Sequence, residues 1–359
     1  VRGDRPKDLL RNSIVTPSLE AAIINGKYVN SIPLYRIEQE FQRGGVHISR
    51  QNMANWTILC AQRYFQPVYD YMKEELFKYH VTQCDETPVE VINDGRSAGA
   101  QSYMWVHRFG EYYKDKPIVL YEYQQTRNAS HPREFLKGYD GICVTDGYQV
   151  YHTLEKELEE LTIAGCWVHC RRRFDEALKL VPKSCQKESN AFLLMKQIQA
   201  IYREEGKLKD LSSDERLKQR QVVIRPLVDA FFAYLKTIKV SKKDKFGDAV
   251  GYALNQEKYL RVFLTDGDIP IDNNASERAI RGFCIGKKNW QMIDTINGAK
   301  TSAIIYSIVE TAKANNLKPF NYVQYLLEEL PQHMDDRDCS FLEDLLPWSE
   351  KLPAEIRKA

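Results

Sequence analysis

Three acidic residues, Asp85, Asp146 and Glu277, occupy positions where a carboxylate is costly unless it does chemistry. Asp85 lies inside Val81-Thr-Gln-Cys-Asp-Glu-Thr-Pro-Val-Glu-Val-Ile, a run rich in β-formers, between Cys84 and Glu86. A charge on a central strand is unfavourable unless it is paired or binds a metal. Asp146 follows the apolar run Gly141-Ile-Cys-Val-Thr and precedes Gly147, at the kind of strand end where an open α/β sheet presents its ligands. Side by side, two such carboxylates repel, and a divalent cation relieves the repulsion. Oxygen-only donors suit Mg²⁺ or Mn²⁺ rather than zinc. The plainer alternatives are that Asp85 is an edge or hairpin residue, and that Asp146 only begins an Asp-Gly turn. Glu277 belongs to Ile271-Asp-Asn-Asn-Ala-Ser-Glu-Arg-Ala-Ile-Arg, where Asn274 is a good N-cap and Glu277 would complete a capping box. Against that plain role, Arg278 and Arg281 fall on one helical face beside Glu277, and Lys287, Lys288 and Trp290 follow. Cations next to a metal-binding carboxylate are what a phosphodiester needs.

The elements that must position these residues change period along the chain. Through residues 1–79 the pattern is helical: a short helix near Leu19 to Ile24, then Leu34, Ile37 and Phe41 at helical spacing, the Gly44-Gly45 turn, and Ser49 as N-cap of the next helix. That helix carries Met53, Trp56, Cys60, Tyr64, Val68, Met72 and Leu76, with Pro67 expected to kink it. Helix, glycine turn, helix is the shape of a DNA-reading helix-turn-helix, or of two packed helices that touch no DNA. From residue 80 to 170 the chain reads as three strands with short antiparallel connections, then helix, strand, helix, strand. This is the order of a ribonuclease-H-like α/β fold, in which the strands of Asp85 and Asp146 are neighbours. Residues 171–265 read as a helical insertion, and 266–318 as the last part of the same domain, returning as helices, Asn274 to Arg281 and Ala299 to Ala314, rather than strands. A helical tail fills 319–359.

Composition narrows the class without deciding it. A chain of 359 residues with 43% hydrophobic and 28% charged residues can bury a core, and no run of about 18 apolar residues suggests a membrane span. Eight cysteines without a Cys-x-x-Cys pair fit a reducing cytosol better than a disulfide framework. Net charge is only +2, so any polyanion site must come from local clusters. The N-terminus is no secretory signal and lacks an initiator Met, compatible with a piece of something longer.

Seven strings in order resemble the insertion-sequence-sixty-six (IS66) family of bacterial transposases, within the DDE superfamily: Asp85-Glu-Thr-Pro-Val, Tyr103-Met-Trp-Val, Asp146-Gly-Tyr, Gly165-Cys-Trp-Val-His-Cys-Arg-Arg-Arg-Phe, Asn273-Asn-Ala-Ser-Glu-Arg-Ala-Ile-Arg, Gly286-Lys-Lys-Asn-Trp and Glu310-Thr-Ala-Lys-Ala-Asn. The resemblance runs from about Ser18 to Trp348. It implies a catalytic and metal-binding triad of Asp85, Asp146 and Glu277 in a ribonuclease-H-like domain interrupted by a helical insertion. It also sharpens Cys166-x-x-His169, a spacing seen after the second Asp in several such groups. Two ligand-type residues cannot make a zinc site, which wants four, so Cys166, His169 and Asn274 are expected to support or line the site. Arg171 and Arg172, with Arg278, Arg281, Lys287, Lys288 and Trp290, are the expected DNA contacts. Members of the family usually carry an N-terminal zinc-binding segment that this sequence does not contain, which bears on autonomous recognition of element ends.

The resemblance implies two Mg²⁺ or Mn²⁺ ions and in-line phosphodiester cleavage and strand transfer. The expected partners are element-end and target DNA, a second copy of the chain, and accessory proteins of the same element. No membrane partner is expected; the setting is the bacterial cytoplasm, at the nucleoid when DNA is bound. Two rivals remain: a DNA-binding regulator that no longer cuts, and a structure-selective nuclease on a similar scaffold.

Overall fold

The computed structural model describes residues 8–97, 99–241, 244–336 and 338–358. Four helices come first: α1 (Pro17–Ile24), α2 (Leu34–Arg43), α3 (Arg50–Cys60) and α4 (Gln66–Leu76). The sheet begins with the long strand β1 (Val81–Asn93), then β2 (Gln101–Phe109) and β3 (Val119–Gln124). Next come α5 (Ser130–Phe135), β4 (Gly141–Thr145), α6 (Gln149–Glu157) and β5 (Leu161–Gly165). A wholly helical stretch contains α7 (Trp167–Lys179), α8 (Asn190–Gly206), α9 (Ser213–Gln219), α10 (Arg225–Thr237), α11 (Lys245–Asn255) and α12 (Glu257–Leu260). The chain closes with α13 (Asn274–Trp290), β6 (Met292–Thr295), α14 (Ile296–Ala314), α15 (Pro319–Glu329) and α16 (Leu342–Leu345).

The result is a mixed α/β protein whose sheet runs β3-β2-β1-β4-β5, with β6 also paired to β1. β1 is antiparallel to β2, and β2 to β3, whereas β4 and β5 continue parallel to β1. One edge of β1 is divided. Val81 to Gln83 pair with β4, and Glu90 to Asn93 pair with β6. Between them that edge has no strand, and α13 lies along it instead: the Asn273 amide donates to the Cys84 carbonyl at 2.6 Å and the Lys287 ammonium to the Pro88 carbonyl at 2.5 Å. Pro88, with no N–H to satisfy, suits an unpaired stretch.

One core joins the N-terminal helices to the sheet and to α13, α14 and α15, through residues such as Tyr28, Phe65, Trp105, Tyr121 and Tyr306. A second core packs the β1, β4 and β5 residues Val81, Val144 and Ala164 against the helical stretch. Trp167 sits at its centre, edge-on to Phe232 and Phe263, its indole N–H donating to the Leu260 carbonyl at 2.8 Å. A small third core of Ile23, Ile37, Ile48 and Met53 ties α2 and α3 to α1.

The expected strands, and the helices around them, are in place. Three details differ. Strand pattern does return after the helical stretch, as β6, four residues long and nowhere fully buried, too short to show a period. The helix expected to stop at Arg281 continues to Trp290, because Gly282 and Gly286 are packed: a Cβ on Gly286 would come within 2.3 Å of the Tyr306 hydroxyl. Ahead of Pro67 the helix widens into a π turn, Ala61–Phe65, and another such turn, Arg220–Ile224, precedes Pro226. A wider turn makes room for a ring that would otherwise clash with the preceding turn. Among the described residues no helix is long and apolar enough to cross a membrane.

Two buried charges allow predictions. Arg220, fully buried, pairs with Glu205 and donates to the carbonyls of Phe263 and Asp266 at 2.8 and 2.7 Å. Glu205→Ala would strand that guanidinium, costing about 3–5 kcal/mol in urea unfolding. Glu20 of α1 is also fully buried and accepts from the Thr57 hydroxyl of α3 at 2.7 Å; burial pushes it up to about 8. A raised acid stabilises the fold while protonated, and this contribution is lost as pH rises through the folded value. Glu20→Gln is therefore expected to be more stable than the parent at pH 9 and little different at pH 5 by the same measurement.

Candidate active site

The β1–β4 register brings the first two carboxylates together. Gln83 is opposite Val144, so two further residues along each strand set Asp85 beside Asp146 (83 + 2 and 144 + 2). Adjacent strands are about 4.8 Å apart. Asp146 lies just beyond the last β4 residue, and its Oδ1 accepts the Tyr148 N–H at 2.8 Å across Gly147. It therefore does serve the turn, as its Asp-Gly dipeptide suggests. Gly147 has φ +84°, and a Cβ there would meet the Tyr252 hydroxyl at 2.8 Å, so both conformation and space require glycine.

Glu277 reaches the site from α13. The helix is capped at Asn273, one residue earlier than expected, so Glu277 is the fourth helical residue and Ser276 occupies the capping-box position. No side-chain cap is formed, and Glu277 Oε1 has no hydrogen-bond partner. That oxygen lies 3.9 Å from His169 Nε2 and 3.6 Å from Arg172 Nη2, both on α7. Asn274 instead binds Asp272, its N–H and its amide reaching the two carboxylate oxygens at 3.0 and 2.9 Å.

Asn273 fixes this arrangement. Fully buried, it donates to the Cys84 carbonyl, accepts from the Gln83 amide at 3.2 Å, and gives its own N–H to Cys166 Sγ at 3.2 Å. One residue thus ties β1, the start of α7 and the start of α13 together, next to Asp85. Burial pushes the Cys166 thiol up to about 12.

Electrostatically the site is crowded with acid. Burial, then the charge of Glu86, then those of Asp146 and Glu277, push Asp85 up to about 8, against one hydrogen bond from the Glu86 N–H. Burial and Asp146 raise Glu86 to about 7, although Arg127 opposes the rise. Burial lowers His169 and keeps the imidazole neutral, against the pull of Asp146. Glu86 and Arg127 are the participants that sequence reading misses. Arg127 donates from Nε to Glu86 at 2.6 Å, approaches Asp146 Oδ2 to 3.6 Å, and stacks 3.7 Å from the Tyr148 ring centre. It stands in an unpatterned loop between β3 and α5, and Glu86 adjoins Asp85 on a strand whose side chains alternate, so no spacing signals either.

The other expected contacts divide. Arg171 and Arg172 are exposed on α7, and Arg172 reaches Glu277. Arg278 is tied to Glu111 at 2.6 Å, while Arg281 and Lys288 are exposed. Lys287 serves β1, and Trp290 packs edge-on to Phe283 at 5.5 Å. These last residues lie 10 to 13 positions beyond Glu277, about 15–20 Å along the helix.

The donor chemistry fits a hard cation: oxygen ligands only, an oxygen without a hydrogen-bond partner on each of Glu86 and Glu277, and like charges that raise Asp85. The side chains are not closed into a cage: among the described residues no three His, Cys, Asp or Glu groups converge closely enough to hold an ion.

Fold and site together define an α/β protein that gathers carboxylates where strand β4 ends beside β1 and flanks them with arginines. The chain belongs to the IS66 family of transposases: the model described as "Transposase IS66 family" matches residues 12–301, and the IS66 C-terminal element matches 307–348. Among curated proteins it is similar to uncharacterized protein y4qI of Sinorhizobium fredii (strain NBRC 101917 / NGR234), 30% identical over 357 residues, covering 96% of this chain and 65% of that protein. Proteins y4jD and y4hP of the same organism are 26% and 25% identical, over 96% and 94% of this chain and 68% and 62% of theirs. The chain thus spans about two thirds of the length of these relatives.

Asn273→Ala would orphan the Cys84 carbonyl inside the protein and leave the Gln83 amide only its longer bond to the Asp272 carbonyl at 3.4 Å. It is expected to cost roughly 1–3 kcal/mol in urea unfolding, the cost of one stranded buried group. Asn274→Ala, which removes only a bond to Asp272 beside it, should cost under about 1 kcal/mol.

Proposed function

We infer that this chain is a DNA transposase that performs metal-dependent phosphodiester cleavage and strand transfer at the ends of an insertion element. The observation that carries the reading is that Asp85 stands beside Asp146 in the strand register and feels the charges of both Asp146 and Glu277, with Arg172 beside Glu277, in a chain of the IS66 transposase family. The strand order β3-β2-β1-β4-β5, antiparallel then parallel, supports a ribonuclease-H-like domain over 80–170 and 266–318, with 171–265 as its helical insertion. The small core beneath α2 and α3 supports a helix-turn-helix role for residues 1–79, with 319–359 as a C-terminal tail.

In this reading Asp85, Asp146 and Glu277 would hold two Mg²⁺ or Mn²⁺ ions. Bound there, the ions would supply activation of a water or a DNA 3′-hydroxyl and stabilisation of the leaving oxygen in an in-line displacement. The chain's own groups do the rest. Arg171 and Arg172 offer charge-assisted hydrogen bonds to the phosphate. Arg127, clamped on Tyr148 and Glu86, keeps Asp146 facing the site. Without a cation, Asp85 keeps a proton on a carboxylate oxygen near neutral pH. Element-end and target DNA are the partners, two copies of the chain pair the ends, and proteins of the same element assist.

One observation favours the rival reading of a DNA-binding protein that no longer cuts: no ion-holding group is closed among the described residues. A labelled element-end duplex, incubated with the protein and Mg²⁺ or Mn²⁺, separates the two. Cleavage that stops with chelator, and falls to background in Asp85→Asn, Asp146→Asn and Glu277→Gln, is the expected result. Cleavage surviving any of these changes removes that residue from the triad, and binding without cleavage supports the rival.

A further inference from the structure

A second concave site lies at the far end of α13. A cavity of about 720 Å³ opens between the turn after α1, helix α3, strand β6 and the first turns of α14. That is within the range of about 300–1,000 Å³ typical of small-molecule sites. Its walls hold two cations. Lys27 stands on a π turn, Asn25–Val29, that follows α1, and Arg50 begins α3. Among the described residues neither has an acidic side chain at ion-pair distance. The guanidinium of Arg50 rests over the Tyr35 ring at 5.6 Å, and burial alone pulls Lys27 down to about 8. The carboxylate on the wall, Asp294, is engaged by the Asn93 amide at 2.7 Å. Thr301 lines the cavity while only 2% exposed, and its hydroxyl has no hydrogen-bond partner among the described residues. α14 begins here: the Thr295 hydroxyl takes the Gly298 N–H at 3.1 Å, and the other N–H groups of the first turn face an end that favours anions. Trp290 and Ile293 also line the cavity.

An ammonium and a guanidinium without an acidic partner, the hydroxyl of a largely buried threonine on the cavity wall and a helix N-terminus call for an anion with several acceptor oxygens. The indole beside them suits a flat ring. The geometry points to a binding site for a phosphorylated nucleotide, its phosphate held by Lys27, Arg50, Thr301 and the start of α14, and its base lying against Trp290. The ligand chemistry has two sources, a free mononucleotide or one nucleotide of a DNA strand, and the second rests on the transposase reading. α13 then acts as a spacer: Glu277 and Trp290 are 290 − 277 = 13 residues apart, about 20 Å. That is about six nucleotides of stacked strand. A strand engaged at the carboxylates would reach the cavity at a fixed distance from the reacting phosphate.

The test uses the full chain, a fluorescein-labelled DNA duplex followed by anisotropy, and deoxyadenosine monophosphate followed by equilibrium dialysis. The variants are Lys27→Gln/Arg50→Gln and Thr301→Val, each first shown to keep the parent's thermal midpoint. The double variant is expected to bind duplex about tenfold more weakly and to lower the slope of log affinity against log salt by about two. Thr301→Val removes no charge and should weaken binding several-fold with the slope unchanged, which a loose electrostatic effect would not do. Loss of mononucleotide binding in both variants assigns the site to free nucleotide as well; loss confined to the duplex assigns it to a strand. Both variants matching the parent with both ligands overturns the site. If the parent binds no duplex, the transposase reading fails, and mononucleotide alone decides: saturable binding lost in Thr301→Val upholds the cavity, and no binding overturns it.

Discussion

Between Gln83 and Glu90 the backbone of β1 has a strand on one side only, and its other edge is met by α13. Buried peptide groups must find partners, and here side chains supply them: Asn273 to Cys84 at the start of the helix, Lys287 to Pro88 near its end. The gap does two things at once. It leaves Asp85 unobstructed by a neighbouring strand, and it forces α13 to lie where Glu277, one turn in, points at the same place. A fully paired β1 would have buried Asp85 under a ladder and kept α13 away. Asn273 is short and buried, and is bonded three ways, twice through its amide and once through its backbone N–H, so the helix start has little freedom to drift.

What collects at that gap is negative charge in a place poor in water. Asp85 and Glu86 are raised by burial first, and second by the charge of Glu86 on the one and of Asp146 on the other, so desolvation, more than any one pair, sets their protonation. The balance comes from outside the sheet. Arg127 reaches in from the loop after β3, and Arg172 from α7, while His169 stays neutral between Asp146 and Glu277. Both arginines are long side chains at the rim, able to yield to a competing cation without disturbing the core.

Much of this was legible in the residues. The interval from Asp85 to Asp146 is 61, and so is the offset of the β1–β4 register, 142 − 81. Strand pattern alone therefore pairs these two acids once the strands are taken as neighbours. Helices α2 and α3 announce themselves by apolar spacing and a glycine turn. Glu277 was ambiguous because Asn273 and Asn274 are both cap residues, and only tertiary bonds to Cys84 and Cys166 select the first. The extension of α13 past Gly282 and Gly286 was hidden for a like reason: glycine lowers helix propensity, and its benefit lies in the approach of Glu310 and Tyr306, far along the chain. Arg127 leaves no local trace at all. Its role depends on a ring, Tyr148, and two carboxylates that only the fold brings near.

The same divided edge has a consequence for how the protein is made. The partners of β1 arrive late: Asn273 binds Cys84 across 189 residues and Asp294 binds Asn93 across 201. During synthesis the strand bearing Asp85 therefore waits, one edge bare, until the last quarter of the chain has emerged. Bare strand edges are templates for unwanted pairing, and such distant contacts form slowly. The carboxylate trio cannot assemble on an incomplete chain, so a nascent or truncated product would be prone to aggregate before it could ever act.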